Sequence, residues 1–207
     1  MSAFEMEDVA GRGDLVERIA LMEAMIAEGR RSTSRYGWMF VLWGVLYFAA
    51  MGWALFLPAG YLAWPVCMGI GVLVGVRYRF QQRRGGTGEG VKSRSVHSVW
   101  VGLGIGVTAF VVAGVLSHHA GDPVYLVGIM FLIGMAHAVS ALILKWTAQG
   151  LAAAAWWVCG AAAFFFTSSM QLVSLFLGAV FCGQILFGLY AMMLDRRRTA
   201  APVGQHA

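Results

Sequence analysis

Residues 36–57 read YGWMFVLWGVLYFAAMGWALFL, and this run decides the class of fold. It contains no charged residue, and a helix of this length, rising about 1.5 Å per residue, crosses the ~30 Å hydrocarbon core of a bilayer. Backbone amides find no water in that core, so a segment that spans it has to satisfy them within a helix. The run therefore predicts a transmembrane helix.

The same pattern recurs along the rest of the chain. Five further apolar runs, separated by turns or short charged connections, lie at about 61–76, 97–117, 124–144, 149–167 and 172–194. Apolar residues make up 59% of the chain and charged residues 12%, which leaves too few polar side chains to cover a water-soluble domain of this size. We therefore predict an all-α fold: a polytopic bundle of six transmembrane helices, arranged as three hairpins within residues 36–195.

Positive charge is confined to one set of connections. The 15 Lys and Arg residues lie in 1–35, 77–94, 145 and 196–198, whereas the turns near 58–60, 117–123 and 167–171 contain none. Lys and Arg are retained in the cytoplasm during insertion, so both termini are predicted to be cytoplasmic, in a bacterial plasma membrane. The net charge of +5 is then a topology signal, and we expect the bilayer, but no nucleic acid, as a partner.

The segment 1–35 precedes the first span and carries a predicted amphipathic helix at 14–31. Its apolar stripe consists of Leu15, Ile19, Met22 and Ile26, spaced four, three and four residues apart. The stripe is suited to a cytosolic protein partner, to pairing with a second copy in coiled-coil fashion, or to packing beneath the bundle as a cap. Residues 196–207, after the last span, are expected to form a disordered cytoplasmic tail.

His137 is an ionisable residue deep inside a predicted span. Ser140 lies one turn away on the same helix face, and Gln184 lies deep in the sixth span. Burying a neutral polar group costs roughly 2–7 kcal/mol unless it forms a hydrogen bond, so all three are predicted to face the interior, with Gln184 as a partner of His137. A proton relay, a ligand contact or a substrate path is one interpretation. A neutral histidine held by an interhelical hydrogen bond is the other.

A second polar group lies in the predicted outer turn at 117–123. It consists of His118, His119 and Asp122. Imidazole and carboxylate suit zinc or copper, but such sites need three or four ligands, and adjacent histidines on a helix point to different faces. A metal site is therefore the weaker hypothesis and solvated turn residues the stronger one. No cofactor is predicted.

Sequence motifs for catalysis are missing. There is no G-x-S-x-G, no H-E-x-x-H and no acidic residue inside a predicted span, which also disfavours proton-coupled transport. We therefore predict a non-enzymatic membrane protein that acts through protein–protein contacts as a regulatory or sensory subunit. A small transporter or channel subunit, with a polar site at His137 and Gln184, is the alternative. A membrane enzyme comes third.

Overall fold

The structure is a computed structural model that describes residues 3–84, 91–118 and 122–200. Every regular element in these ranges is a helix. The elements are α1 (Ala3–Arg35), α2 (Gly37–Phe56), a 3-10 turn (Gly60–Leu62), α3 (Ala63–Arg84), α4 (Val91–Leu116), α5 (Pro123–Leu144), α6 (Thr147–Ala163), α7 (Ser169–Val180), a π-helical segment (Phe181–Leu186) and α8 (Phe187–Ala200). No strand occurs in these ranges, which confirms the predicted all-α class.

Five of the helical stretches are long and apolar enough to cross a membrane. They are Gly37–Phe56, Gly60–Gln82, Ser95–Leu116, Val124–Leu144 and Ser169–Thr199. Large apolar side chains on them are exposed, among them Leu73 at 70% and Leu142 at 78%. Water disfavours such a surface and lipid does not, so the chain is a membrane protein. The predicted fifth span corresponds to α6, which has 17 residues and is not one of the five.

Two helices extend further than the sequence predicted. Helix α1 begins at Ala3 and ends at Arg35, well beyond the predicted 14–31. Gly11 and Gly13 each cost about 1 kcal/mol relative to Ala in a helix interior. Helix propagation across them, supported by the helix-forming residues on either side, outweighs that cost. Helix α8 continues to Ala200, so the predicted disordered tail 196–207 begins as helix, and its residues 201–207 lie outside the described part.

Helices α5 and α6 pack along one another in opposite directions. The chain reverses at Lys145, whose left-handed backbone (φ 48°) ends α5. A Cβ atom built on Gly150 would lie 3.9 Å from the Cβ of Ala141, and one built on Gly160 would lie 3.5 Å from the Cβ of Met130. The two pairs are ten residues apart on α6 and eleven apart on α5, so they fix an antiparallel register along both helices.

Helix α2 packs against both α3 and the α7–α8 helix. It approaches α8 closely at Gly37, where an added Cβ would lie 2.8 Å from the carbonyl oxygen of Gly188. One core cluster lies near the end of the bundle that α1 contacts, hereafter the α1 end: Phe40, Val96, Leu144, Trp146, Ala152, Phe187 and Ala191. A second contains Met51, Met130, Ile133, Trp156, Phe176, Ala179 and Val180.

Candidate functional site

His137 lies on α5 with none of its surface exposed. Aromatic rings from three other helices surround the imidazole: the centroid of Trp100 lies 4.9 Å away, that of Phe187 5.5 Å and that of Phe40 5.6 Å. The first two rings stand nearly perpendicular to the imidazole, at 85° and 87°. His137 therefore occupies the point at which α2, α4, α5 and α8 converge.

The hydrogen bond predicted between His137 and Gln184 does not form. Within the described part of the chain, both ring nitrogens of His137 lack a hydrogen-bond partner. The Oε1 atom of Gln184 lacks one there too. The rings of Phe40 and Phe187 lie against the imidazole instead. Gln184 is itself 3% exposed, so both side chains are buried.

Gln184 belongs to the π-helical segment that interrupts the last long helix. Such wide turns are rare and often occur at functional sites. A Cβ built on Gly44 of α2 would lie 3.3 Å from the Cβ of Gln184, one turn beyond Phe40. A Cβ on the preceding residue, Gly183, would overlap the indole of Trp156 on α6. The absence of that Cβ lets α6 approach, so the π segment is wedged between α2 and α6.

Ser140 and Gln149 are the buried polar residues nearest the α5–α6 turn. Gly150, the residue after Gln149, packs against Ala141, the residue after Ser140. Neither residue has any exposed surface. Among the described residues, no hydrogen bond reaches the Ser140 hydroxyl, the Gln149 carbonyl oxygen or the Gln149 amide nitrogen.

These four buried polar residues, on α5, α6 and the π-helical segment, are hereafter called the column. Ser140 and Gln149 lie toward the α1 end, His137 lies one turn further in, and Gln184 lies at the level of Gly44, one turn beyond the Phe40 ring that packs on His137. Indole nitrogens of Trp100 and Trp156 belong to the same set of unmatched atoms. Leaving a buried donor or acceptor unmatched costs about 1–3 kcal/mol, and native proteins do so rarely. The column is therefore the candidate for a functional site inside the bundle.

The chemistry available in the column is neutral hydrogen bonding. A hydroxyl and two carboxamides supply both donors and acceptors, and the imidazole can act as either. The side chains named for the column include no carboxylate, so it offers no general acid–base pair of the kind that hydrolases use. The arrangement can bind a neutral polar molecule or mediate helix rearrangement, and it is poorly suited to stabilising an ion.

The metal hypothesis stays a prediction. His118 has a left-handed backbone (φ 61°) at the end of α4 and is exposed, and Asp122 is exposed where α5 begins. The third member, His119, lies outside the described residues. Among the residues that are described, no group of three or more His, Cys, Asp or Glu side chains is placed to hold an ion.

The apolar stripe of α1 divides into an exposed part and a partly covered part. Leu15, Ile19 and Met22 are exposed by 60%, 51% and 53%, whereas Ile26 is half-buried. The helix is anchored beyond that point: Arg30 donates from Nε to the carbonyl oxygen of Leu144 at 2.7 Å and from its terminal nitrogen to the carbonyl oxygen of Lys145. Arg30 therefore fixes the C-terminal part of α1 to the bundle, while Leu15, Ile19 and Met22 stay exposed.

Comparison with protein-family models, with curated proteins and with solved structures finds no match to this chain.

Sequence reasoning missed Gln149 of the column and the unmatched indoles of Trp100 and Trp156. The predicted fifth span, 149–167, begins at Gln149, and a polar residue at the end of a span was not singled out as a buried one. Its spacing gave a usable signal: Gln149, Ala152 and Trp156 lie three and four residues apart, on one helix face, and all three are buried. The indoles carried no such signal, because the sequence does not show whether an N–H reaches an acceptor.

Proposed function

We propose that this is a non-enzymatic protein of the bacterial plasma membrane that acts through protein–protein contacts, as a regulatory or sensory subunit, with α1 as its docking helix. The observation that carries this proposal is the exposed apolar stripe of α1. Leu15, Ile19 and Met22 precede the first predicted span, and the other faces of the helix carry Glu17, Arg18 and Glu23 together with the exposed Val16 and Leu21. An apolar stripe of this kind on a membrane-anchored helix is typical of a surface that a partner covers.

The position of α1 supports a docking role. Gly29, Thr33 and Ser34 are buried, and Arg30 fastens this part of the helix to the α5–α6 turn. Because the anchored part is fixed, the exposed part is held at a defined position relative to the bundle. A preorganised helix loses less conformational entropy on binding than a disordered segment does.

The charges around the stripe favour one class of partner, an amphipathic helix of a cytosolic protein with basic residues beside its apolar face. Between residues 15 and 28, α1 carries Glu17, Glu23 and Glu28 against a single Arg18. Two copies of α1 would bring like charges together, which disfavours self-association. The anionic lipids of a cytoplasmic leaflet would repel the three glutamates, so the membrane surface is also a poor partner.

The arrangement that goes with this function is a bundle of six spans, as three hairpins, with both termini in the cytoplasm. Helix α6 provides the sixth crossing: its 17 residues are at the lower limit of about 17–25 for transmembrane helices. Its antiparallel packing against α5 supports a full return across the membrane. Lys and Arg occur only in segments that this arrangement places on the same side of the membrane as α1, which supports the orientation.

A matched pair of variants tests the docking role. Leu15→Ser, Ile19→Ser and Met22→Ser together remove the stripe, whereas the control substitutes Ser for Ala20, Ala24 and Ala27, which are exposed on the opposite face. The partner recovered with the unaltered protein from native membranes is purified, and its affinity for each variant is measured. The proposal requires at least about a tenfold loss of affinity for the first variant and none for the control. Equal affinities would refute it.

A small transporter or channel subunit is the second candidate, and the unmatched atoms of His137, Gln149 and Gln184 favour it. It ranks second because His137 has no exposed surface, so no water-sized space adjoins it in this conformation. Reconstituted into liposomes, the protein should then carry a neutral solute such as glycerol, and His137→Leu should abolish that flux without changing the helical circular dichroism spectrum. Liposomes no more permeable than empty ones would rule this candidate out.

A further inference from the structure

The last turns of α3 are fastened to the start of α2 on one face. The Tyr36 hydroxyl donates to Oε1 of Gln82 at 2.6 Å, and the Gln82 amide nitrogen donates to the Tyr78 hydroxyl at 2.9 Å. The Trp38 ring meets the Tyr78 ring edge to face, with centroids 4.9 Å apart. Tyr78 and Gln82 lie one turn apart on the same side of α3, so these contacts fix the rotation of the helix about its axis.

The opposite face of α3 borders a groove of about 690 Å³. At about 100° per residue, Leu73, Phe80 and Arg84 lie within roughly 40° of one another, and Gln82 lies on the far side of the helix. The described residues that line the groove are all exposed: Leu73, Val76, Arg77, Phe80, Gln81 and Arg84. The contacts with α2 therefore hold this face outward, toward whatever surrounds the bundle.

This face changes from apolar to basic along the helix. Leu73 and Val76 lie within the apolar stretch of the span, and Arg77 and Arg84 follow toward its end. The two arginines are seven residues apart, about 10 Å along the axis. Because side chains on a helix lean toward its N-terminus, Arg84 leans back over Phe80 toward the level of Arg77. Both guanidinium groups thus serve the same part of the groove, where the apolar stretch ends.

The charge of this pair is not neutralised by neighbouring helices in the sequence. No Asp or Glu occurs between Glu28 and Glu89, so α2 and α3 contain none. Arg79, on a different face of α3, contacts the ring of His97 on α4. Arg77 and Arg84 are therefore the two arginines that α3 offers to an anion in the groove.

We propose that this face of α3 is a binding site for an anionic phospholipid, in which Arg77 and Arg84 hold the headgroup phosphate and Leu73, Val76 and Phe80 lie along the acyl chains. A guanidinium pairs with phosphate oxygens through two N–H groups at once. Basic pockets at the ends of transmembrane helices are typical sites for anionic headgroups. A free phosphate would use the arginines but leave the exposed apolar residues uncovered, so the lipid fits the whole face.

The positive charges at the end of a span also set its orientation, and any arginine on that side of the membrane serves this purpose. A lipid site requires more: two arginines on one helix face beside exposed apolar side chains. The proposal uses no residue of α1, so it is independent of the docking role proposed above, and either can fail while the other holds.

Native mass spectrometry of the protein in neutral detergent micelles tests the site. Dioleoyl phosphatidylglycerol and dioleoyl phosphatidylcholine are titrated separately, and the dissociation constant of the first bound lipid is measured for each. The acyl chains are identical and the net charges differ, so the ratio of the two constants measures recognition of the anionic headgroup. The unaltered chain should bind phosphatidylglycerol at least about tenfold more tightly, because each arginine near an anionic headgroup contributes about fivefold.

Arg77→Gln combined with Arg84→Gln should abolish this preference, and Arg84→Gln alone should lower it about fivefold. The matched control is Arg197→Gln with Arg198→Gln, which removes two exposed arginines at the end of α8. Adjacent residues on a helix do not share a face, so this pair is not arranged to hold one phosphate, and the control should keep the preference. Equal losses in both double variants, or no preference in the unaltered chain, would overturn the proposal.

Two further measurements test the apolar part of the site. Phe80→Ser should weaken the binding of both lipids and leave their ratio unchanged, because it removes a contact with the acyl chains but no charge. Glycerol 3-phosphate, which has a phosphate and no acyl chain, should not displace phosphatidylglycerol. Undiminished binding to Phe80→Ser, or displacement by glycerol 3-phosphate, would overturn the assignment to a lipid.

Discussion

The indole of Trp100 meets the imidazole of His137 edge to face, with centroids 4.9 Å apart and planes at 85°. This contact links α4 to α5 beside the core cluster at the α1 end. With Phe40 and Phe187 it surrounds an imidazole that has no hydrogen-bond partner among the described residues. The Trp100 indole nitrogen also lacks a hydrogen-bond partner there. Both members of the pair therefore lower the free energy of unfolding, because buried polar atoms without partners are unfavourable. The contact therefore predicts how the free energy of unfolding changes when the polar imidazole is replaced by an apolar side chain.

His137→Leu should stabilise the folded bundle by about 1–3 kcal/mol, because it removes two unmatched ring nitrogens from an apolar environment. The measurement is the free energy of unfolding in mixed micelles, titrated with SDS. Gln171→Leu is the control, since Gln171 is exposed, and it should change the value by less than about 0.5 kcal/mol. A clear loss of stability in His137→Leu would mean that the imidazole forms a hydrogen bond, which contradicts the structure.

Gly37→Ala should destabilise the protein by about 1–3 kcal/mol, the usual cost of overpacking a closely packed contact. The added Cβ would lie 2.8 Å from the Gly188 carbonyl oxygen, and a backbone atom cannot move aside as a flexible side chain can. Gly102→Ala is the matched control, because its Cβ would meet nothing within 4 Å and alanine favours a helix. The same unfolding titration compares the two. Similar losses in both variants would show that α2 and α8 are not in contact at Gly37.

The six-span arrangement predicts that the two ends of α6 lie on opposite sides of the membrane. Thr147→Cys and Ser168→Cys, each in a chain with the three native cysteines replaced, mark these ends at exposed positions. A membrane-impermeant maleimide added to intact cells should label position 168, and it should label position 147 only after permeabilisation. Labelling of both positions in intact cells, or protection of both, would show that α6 does not cross.

Much of the fold follows from patterns along the chain. The uncharged run 36–57 matches α2 within a residue at each end, and the run 124–144 matches α5 equally well. The ends of α1 and α8 were harder to predict, since both continue as helices into polar segments where hydropathy gives no signal. Gly11 and Gly13 disfavour a helix locally, but propagation from both sides maintains it.

The site was less accessible to prediction than the fold. The sequence identified His137, Ser140 and Gln184 because polar residues in apolar runs stand out. It could not predict the π-helical turn at Gln184 or the three rings around His137, because both depend on how separate helices approach one another. The bonds from Arg30 to Leu144 and Lys145 join residues more than a hundred positions apart, and no local pattern encodes them.

The most direct test of the account places a photo-crosslinking residue, p-benzoylphenylalanine, at Ile19 in one sample and at Ala24 in another, in cells that contain the native partners. Both positions are exposed on α1, but only Ile19 lies on the apolar stripe. The account predicts one discrete adduct with a cytosolic protein at position 19 and none at position 24. Crosslinks at position 19 to lipid alone, or to a second copy of this chain, would contradict it.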